Sequence, residues 1–394
     1  MRCEREAMIT ELPERVAALP GPLRQACERI FHIRRGVGRA ITPPEMEPWV
    51  ERSFGSVEAV REQTVVRVLN RLTLEDALFN PLRAHRPAGA FTTDEQLEAW
   101  VVGELEGHDF ADPRRRTPAD PFGRIEGRFC VSASNVAKYD GLHGLVVFHE
   151  GHPLRVTREQ LEDYLDVALR WVAAAHAYDP SAIYPMVTWN CLPKSGATIV
   201  HGHMQVSLGR GLHYARPELW RRAAQTYRGE MGREYFEDLF AVHAALGLAL
   251  HDEQGVRCFA HLTPLRNREV VFFAAQCTTR SEGSGGSSSF TLPGGSSSTP
   301  SVARLLAGPL YDALRGLMDV QGVRALNLGL ALPPLVPTGE SWQGVPAVAR
   351  IVDRGGPLSL RNDWGAMELF GTPVVTADPF EVAAQLRGRG TDRG

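Results

Sequence analysis

Apolar and polar positions change period several times along the 394 residues, and each change marks an expected element. The first 60 or so residues mix apolar and charged positions at helical intervals broken by Pro and Gly, and predict an N-terminal helical extension. TVVRVLNRL, Thr64 to Leu72, is rich in β-branched residues and predicts a strand. Segment 103–128 is loop-like, and RFCVSAS and GLVVFH follow as two strands separated by the turn-forming NVAKYDGLH. Thr157 with Gln160 has the form of a capping box, and Leu161, Leu165, Ala168, Leu169 and Val172 then recur at helical spacing, which predicts a helix over 158–177. IYPMVTWNCL and VHGHMQVSLG read as strands around a Gly-containing turn.

A second helical region, about 216–250, leads into VRCFAHLTPL and REVVFFAAQ as strands. Between 278 and 300 the chain becomes SEGSGGSSSFTLPGGSSST, too poor in apolar residues to offset its ordering entropy, and reads as a flexible Gly/Ser loop. SVARLLAGPLYDALRGLMD resumes a helix, ALNLGLALPP and VPAVARIV read as strands, and PFEVAAQLRGR as a final helix. The order β, β, α, β, β thus occurs twice, which predicts an α+β fold of two similar halves with antiparallel sheets. The expected divisions are 1–62 for the extension, 63–212 for the first half and 213–394 for the second, with no repeat at residue level.

Composition narrows the partners. A net charge of −3 offers no general attraction for nucleic acid or an anionic membrane, so neither is expected as a partner. The six cysteines are scattered with no C-x-x-C pair, which argues against a disulfide framework or zinc knuckle. With no apolar run of membrane-spanning length and no signal-like start, a soluble cytoplasmic protein is expected.

The densest chemistry lies in HGHMQ. On a strand, His201, His203 and Gln205 would share one face, a costly arrangement in a core and a useful one in a cleft. Upstream, Asn190 ends a strand and KSGAT supplies small residues through which backbone N–H groups could approach an anion, with Thr198 offering a hydroxyl. A neutral imidazole is a competent nucleophile toward phosphorus. Alone, an H-x-H pair is more often a polar surface pair or half of a metal site.

Asn190, Gly196, Ala197, Thr198, His201, His203 and Gln205 together resemble the active-site strand of the galactose-1-phosphate uridylyltransferase branch of the histidine-triad superfamily. FNPLRAHRPAG, Phe79 to Gly89, is similar to that family's R-A-x-R-P segment, and LVVFHEGHPL to its strand before the long helix. The resemblance covers roughly 80–205 and implies two histidine-triad-like halves. It implies His203 as the nucleophile that forms a nucleotidyl-histidine, with Gln205 on a phosphate oxygen and His201 beside it. Arg83 and Arg86 would neutralise phosphates, and Asn190, Ser195, Gly196 and Thr198 would shape the phosphate loop. Gln at the third motif position, where hydrolase branches carry His, points to a transferase or phosphorylase.

Relatives often hold a structural zinc through a cysteine pair and two histidines. Here only Cys130 stands near that place, so His152 and His201 are weak metal candidates, zinc is disfavoured and no cofactor is expected. Cys130, His149 or Glu150 would be needed to rebuild a site. The expected reaction is double displacement on a nucleoside-diphosphate sugar with a sugar 1-phosphate acceptor. The motif equally fits a phosphorylase of a sugar nucleotide or of diadenosine tetraphosphate using inorganic phosphate. A non-catalytic nucleotide-binding protein is the alternative of another class. Relatives commonly dimerise, which allows a homodimer. His261, Arg266 and Arg268 could meet a sugar phosphate but read more readily as exposed charges at a hairpin, and RNDWGAMELFG, Arg361 to Gly371, as either a recognition loop or a helix start.

Overall fold

The computed structural model describes residues 8–85, 93–274, 301–359 and 364–391. Arg86 and the Gly/Ser loop lie outside the described residues, as does the start of the Arg361–Gly371 stretch. Thirteen strands are described: β1 (Phe31–Arg39), β2 (Glu62–Asn70), β3 (Asp76–Phe79), β4 (Cys130–Ser134), β5 (Leu142–Phe148), β6 (Ala182–Cys191), β7 (His203–Arg210), β8 (Ala249–Glu253), β9 (Val256–Ala260), β10 (Val270–Ala274), β11 (Leu326–Ala331), β12 (Ala347–Asp353) and β13 (Val374–Val375). The helices that matter for the site are α1 (Asp94–Leu105), α2 (Arg158–Tyr178), α3 (Ala215–Met231), α4 (Tyr235–Ala245) and α5 (Val302–Asp319).

Nine strands form one sheet in the order β4-β5-β7-β6-β11-β12-β10-β9-β8, and β1-β2-β3-β13 form a smaller one. The doubled pattern expected from sequence is present: β4-β5-α2-β6-β7 is matched by β9-β10-α5-β11-β12, each with its last strand inserted inside the pair. The halves are joined edge to edge, because β6 pairs antiparallel with β11, Leu326 opposite Cys191 through Ala331 opposite Met186. Pairing the inner edges leaves no exposed edge where the halves meet.

Helices α2 and α5 pack against each other on one face of this sheet. The start of α2 follows from its sequence: Thr157 Oγ1 accepts the Gln160 N–H at 3.2 Å, and Gln160 Oε1 accepts the Thr157 N–H at 2.8 Å. Leu161, Leu165, Ala168, Leu169 and Val172 are all buried in the main core, as their spacing predicts.

The reading of the first 60 residues as helical is corrected at β1, which pairs with β2 from Phe31 opposite Asn70 to Arg39 opposite Glu62. Gly36, Gly38, Ile33 and Val37 make FHIRRGVGR a poor helix and a tolerable strand, and the β2 edge supplies its hydrogen bonds. The region read as helical to about 250 ends in α4, and β8 begins at Ala249. Among the described residues, no helix is long and apolar enough to cross a membrane.

Candidate functional site

His203 opens β7, and its side chain is on the sheet face opposite α2. Met204, Val206 and Leu208 join the main core with α2, whereas Leu145 and Val147, which pair with Gln205 and His203, form a small separate cluster with Phe110 and Ala133. The Phe110 ring stands edge-on to His203 at 5.2 Å between centroids and to His201 at 6.0 Å. This packing leaves His203 only 8% exposed.

The strand begins at His203, so His201 precedes it and does not share the pleat with the other two, a correction to the strand reading of the whole motif. Gly202 explains why. A Cβ there would meet the Phe148 ring at 2.6 Å, so the chain crosses that ring only with glycine between the histidines. His201 lies before the strand, where its Nε2–H donates to the Phe148 carbonyl, at the end of β5, at 2.8 Å.

That turn places the His201 carbonyl 2.8 Å from His203 Nδ1. A carbonyl only accepts, so Nδ1 carries the proton and Nε2 keeps its lone pair. Burial pushes the pKa of His203 down, against the stabilising effect of the His201 carbonyl, and the neighbouring His201 and His108 rings lower it further. The imidazole is neutral, oriented and of the tautomer whose Nε2 lone pair is unprotonated.

Gln205 is set by a residue that the sequence reading missed. His143, fully buried on β5, has its Nε2 3.0 Å from Gln205 Oε1, and the Tyr139 N–H donates to its Nδ1 at 3.4 Å. Asn135 Nδ2 also stands 3.1 Å from the same Nε2, but the Tyr139 N–H decides the tautomer in favour of the Gln205 bond. With Gln205 Oε1 occupied, its amide nitrogen is the group left for a ligand oxygen. The signal was present in the text: alternation back from Val147 and Leu145 puts His143 on this face.

The loop expected to hold phosphate differs from its expected form. The Ser195 and Gly196 N–H groups donate to Leu192 and Pro193 carbonyls at 3.0 and 2.8 Å, the Ala197 N–H donates to Leu192 O at 3.4 Å, and the Ser195 hydroxyl donates to Leu192 O at 2.7 Å. Ser195 and the Gly196 N–H therefore build the loop and do not present donors outward. Gly196, at φ +99°, is required for the bend. Thr198 is exposed and retains its hydroxyl for a ligand. Asn190 is held by Asn327 of β11, whose Nδ2 donates to Asn190 Oδ1 at 2.7 Å and to Ser195 O at 2.8 Å. Asn327 was also missed, although one Asn inside the apolar run ALNLGLAL calls for a buried partner.

Arg83 lies on a tight turn, Pro81–His85, directly after β3 of the small sheet, and is not among the residues bonded to His203 or Gln205. His152 is buried with its Nε2 3.1 Å from a Glu98 carboxylate oxygen of α1, His201 donates to a carbonyl, and the Cys130 thiol donates to Asp163 Oδ2 at 3.4 Å. Burial, with Asp163 adding to it, pushes that thiol well above its ordinary pKa. These partners do not fit a zinc centre, and among the described residues no group of three His, Cys, Asp or Glu is arranged to hold a metal ion.

No protein-family model matches the sequence, and no curated protein matches it. Solved structures do. An ADP-glucose phosphorylase from Arabidopsis thaliana, with bound ADP-glucose, superposes at a TM-score of 0.59 and 14% identity over 81% of this chain and 97% of its own. A uridylyltransferase superposes at 0.54 and 15% identity, over 71% and 90% of the two chains. A second Arabidopsis thaliana structure, described as a GalT-like protein, gives 0.55 and 15% over 72% and 92%.

The chain has the fold of these three structures.

Within that fold, His203 and Gln205 lie on the strand that the doubled topology inserts between β5 and β6. His261 corrects the reading of the second-half hairpin. It is buried, its ring stacks on His243 at 5.5 Å, and Arg350 Nη2 lies 3.4 Å from its Nδ1. Arg268 pairs with Asp353 at 2.5 Å, and the Arg266 guanidinium lies 4.8 Å over the Trp364 ring.

Proposed function

We propose that the chain is a nucleotidyltransferase that moves a nucleoside monophosphate from a nucleoside-diphosphate sugar to a sugar 1-phosphate through His203. The observation that carries this reading is the hydrogen bond from His203 Nδ1 to the His201 carbonyl, which leaves Nε2 unprotonated on a buried neutral ring. In the first step Nε2 attacks the α-phosphorus, an N–P bond forms, and the P–O bond to the departing sugar phosphate breaks. Positive charge then develops on the ring, and the His201 carbonyl, already aligned with Nδ1–H, stabilises it without reorganisation. The Gln205 amide and Thr198 hydroxyl would hold non-bridging oxygens. In the second step a phosphate oxygen of the acceptor attacks the same phosphorus, an O–P bond forms, the Nε2–P bond breaks, and its electron pair returns to Nε2 to restore neutral His203.

A phosphorylase uses the same intermediate with inorganic phosphate as acceptor, and the similarity to an ADP-glucose phosphorylase supports it as the second reading. Incubation without acceptor, with a panel of UDP-, ADP- and GDP-sugars and dinucleoside polyphosphates, followed by intact-mass measurement, tests both. A mass increase of one nucleoside monophosphate, absent in His203→Ala, is expected. Wild-type rates of label exchange between nucleotide sugar and sugar phosphate in His203→Ala would sink the proposal. Chase of the labelled protein with sugar 1-phosphate or with inorganic phosphate separates the two readings.

A further inference from the structure

Of the 43 basic residues in the chain only two are lysines, Lys138 and Lys194. Where a chain so rich in arginine turns to lysine, a compact charge serves better than a planar fork. Lys138 lies in the turn between β4 and β5, and its neighbours give that charge a task. Its Nζ donates to the Ser134 hydroxyl at 2.7 Å and to the His143 carbonyl at 2.6 Å, and stands 3.6 Å from Asp120 Oδ1. Three acceptors thus converge on one tetrahedral nitrogen.

Asp120 is the anchor of this cluster. Its side chain is 2% exposed, its Oδ1 accepts the Ser134 hydroxyl at 2.7 Å, and its Oδ2 accepts the indole N–H of Trp171 on α2 at 2.7 Å. Trp171 passes β5 at Gly144, where a Cβ would meet its Nε1 at 2.5 Å. The core helix therefore holds the carboxylate, and among the described residues Lys138 is the cation that meets it.

From that anchor the turn closes on His143. Besides Lys138, the His143 carbonyl accepts the Asn135 N–H at 3.1 Å, the Tyr139 N–H donates to Nδ1, and the Tyr139 ring lies on the imidazole at 3.8 Å between centroids. Residues 135–139 wrap the ring whose Nε2–H is committed to Gln205. The charge acts in the same sense as the geometry. Burial is the largest cause that lowers the His143 pKa, and Lys138 lowers it further against Gln205, Asp140 and Asp120, so Nδ1 keeps the lone pair that accepts Tyr139.

We propose that Lys138 is a positioning residue for transfer through His203: its ammonium group clamps the turn around His143 and thereby fixes the Gln205 amide. This role rests on the transferase reading above, because Gln205 is the group through which it reaches a phosphate oxygen.

Histidine side-chain nitrogen NMR on the full chain, with the His143 signal assigned from His143→Gln, reads the first link. In Lys138→Met the His143 titration should move up toward that of a free imidazole, and in Lys138→Arg, which keeps the charge, it should stay near the wild type. Covalent labelling from a panel of UDP- and ADP-sugars reads the second link. It should slow about tenfold or more in Lys138→Met and fall off at a higher pH than in the wild type, with Lys138→Arg recovering part of the rate. Lys138→Met strands the buried Asp120 carboxylate. If that variant fails to fold by circular dichroism, Lys138→Met combined with Asp120→Asn, which removes both charges, carries the labelling test. An unmoved His143 titration in folded Lys138→Met, or wild-type labelling in the folded double variant, would overturn the assignment, the latter by showing that Lys138 only neutralises Asp120. Labelling that is normal in the wild type and indifferent to Lys138 sinks Lys138 alone. A moved His143 titration with no covalent nucleotide even in the wild type sinks the transferase reading and leaves Lys138 as the holder of His143.

Discussion

The two halves of the large sheet present the same face to opposite ends. A straight row crosses it: Gln205 on β7, Thr188 on β6, Gly329 on β11 and Arg350 on β12. Arg350 thus occupies, in the second half, the strand and face that Gln205 occupies in the first. In the first half that face holds neutral imidazoles and an amide under a light cover from Phe110. In the second it holds a buried ionic cluster: Arg350 donates to Glu75 at 2.5 Å and to Glu269, and Arg216 reaches Glu75 from the rim. Burial alone would raise the Glu75 pKa, but Arg350, His261 and Arg216 overcome it and hold the group down to about 2. Trp220, Tyr235 and Leu239 of α3 and α4 close over the cluster. One topology therefore supplies the face twice, and what stands on it decides whether the face is a candidate site or a closed core.

The sharpest test exchanges the two kinds of loss. His203→Ala should abolish nucleotide labelling, because the labelled atom is removed, yet change stability by no more than about 1 kcal/mol. Arg350→Ala should leave Glu75 and Glu269 buried without their cation and cost about 3–5 kcal/mol in urea denaturation. If Arg350→Ala kept full stability while losing labelling, the two faces would have to be regarded as one site. Acid gives a smaller effect of defined sign. His213, with its Nε2–H on Leu332 O, and His243, with its Nδ1–H on Leu239 O, are neutral in the covered region, and burial lowers each to about 4. The unfolded imidazoles protonate near 6.5, so the unfolded chain binds more protons from there down to about 4, and stability falls as pH drops through that window. Each histidine accounts for at most about 3 kcal/mol. Denaturation midpoints that do not move between pH 7 and 4.5 would refute this. Labelling by His203, whose pKa burial also lowers, should fall only at a pH below that of a free imidazole.

Which parts of this contrast were legible in the sequence follows from where the determining contacts lie. The halves were legible because β, β, α, β, β is a local periodicity, and α2 because its capping box and apolar stripe are local as well. Their fusion through β6 and β11 was not, since pairing of Asn190 with Asn327 is a contact across 137 residues that neither strand's alternation specifies. His203 and Gln205 were singled out by spacing and resemblance, and their common strand by alternation. The inward-turned loop at Ser195, the pre-strand place of His201 and the burial of His261 depend on what packs against them. His261 was read as exposed because the text around it, HLTPLRNRE, is that of a hairpin, whereas Arg350 and Glu75 arrive from 89 and 186 positions away.

The smallest effect probes the first face most directly. If His143 matters because it fixes the Gln205 amide, its removal should matter only while Gln205 is present. His143→Ala is expected to slow labelling by about ten- to a hundredfold, because an amide free to rotate offers its oxygen to a phosphate oxygen as often as its nitrogen. His143→Gln, which restores an N–H donor, should recover part of that loss. In the double variant with Gln205→Ala, the His143 change should add little, a coupling of about 1 kcal/mol or more that independent structural damage would not produce. The stability of His143→Ala, measured in parallel, separates a packing loss from a rate loss. Fully additive effects in this cycle would show that His143 only fills the core, and Gln205 would then need another source for its orientation.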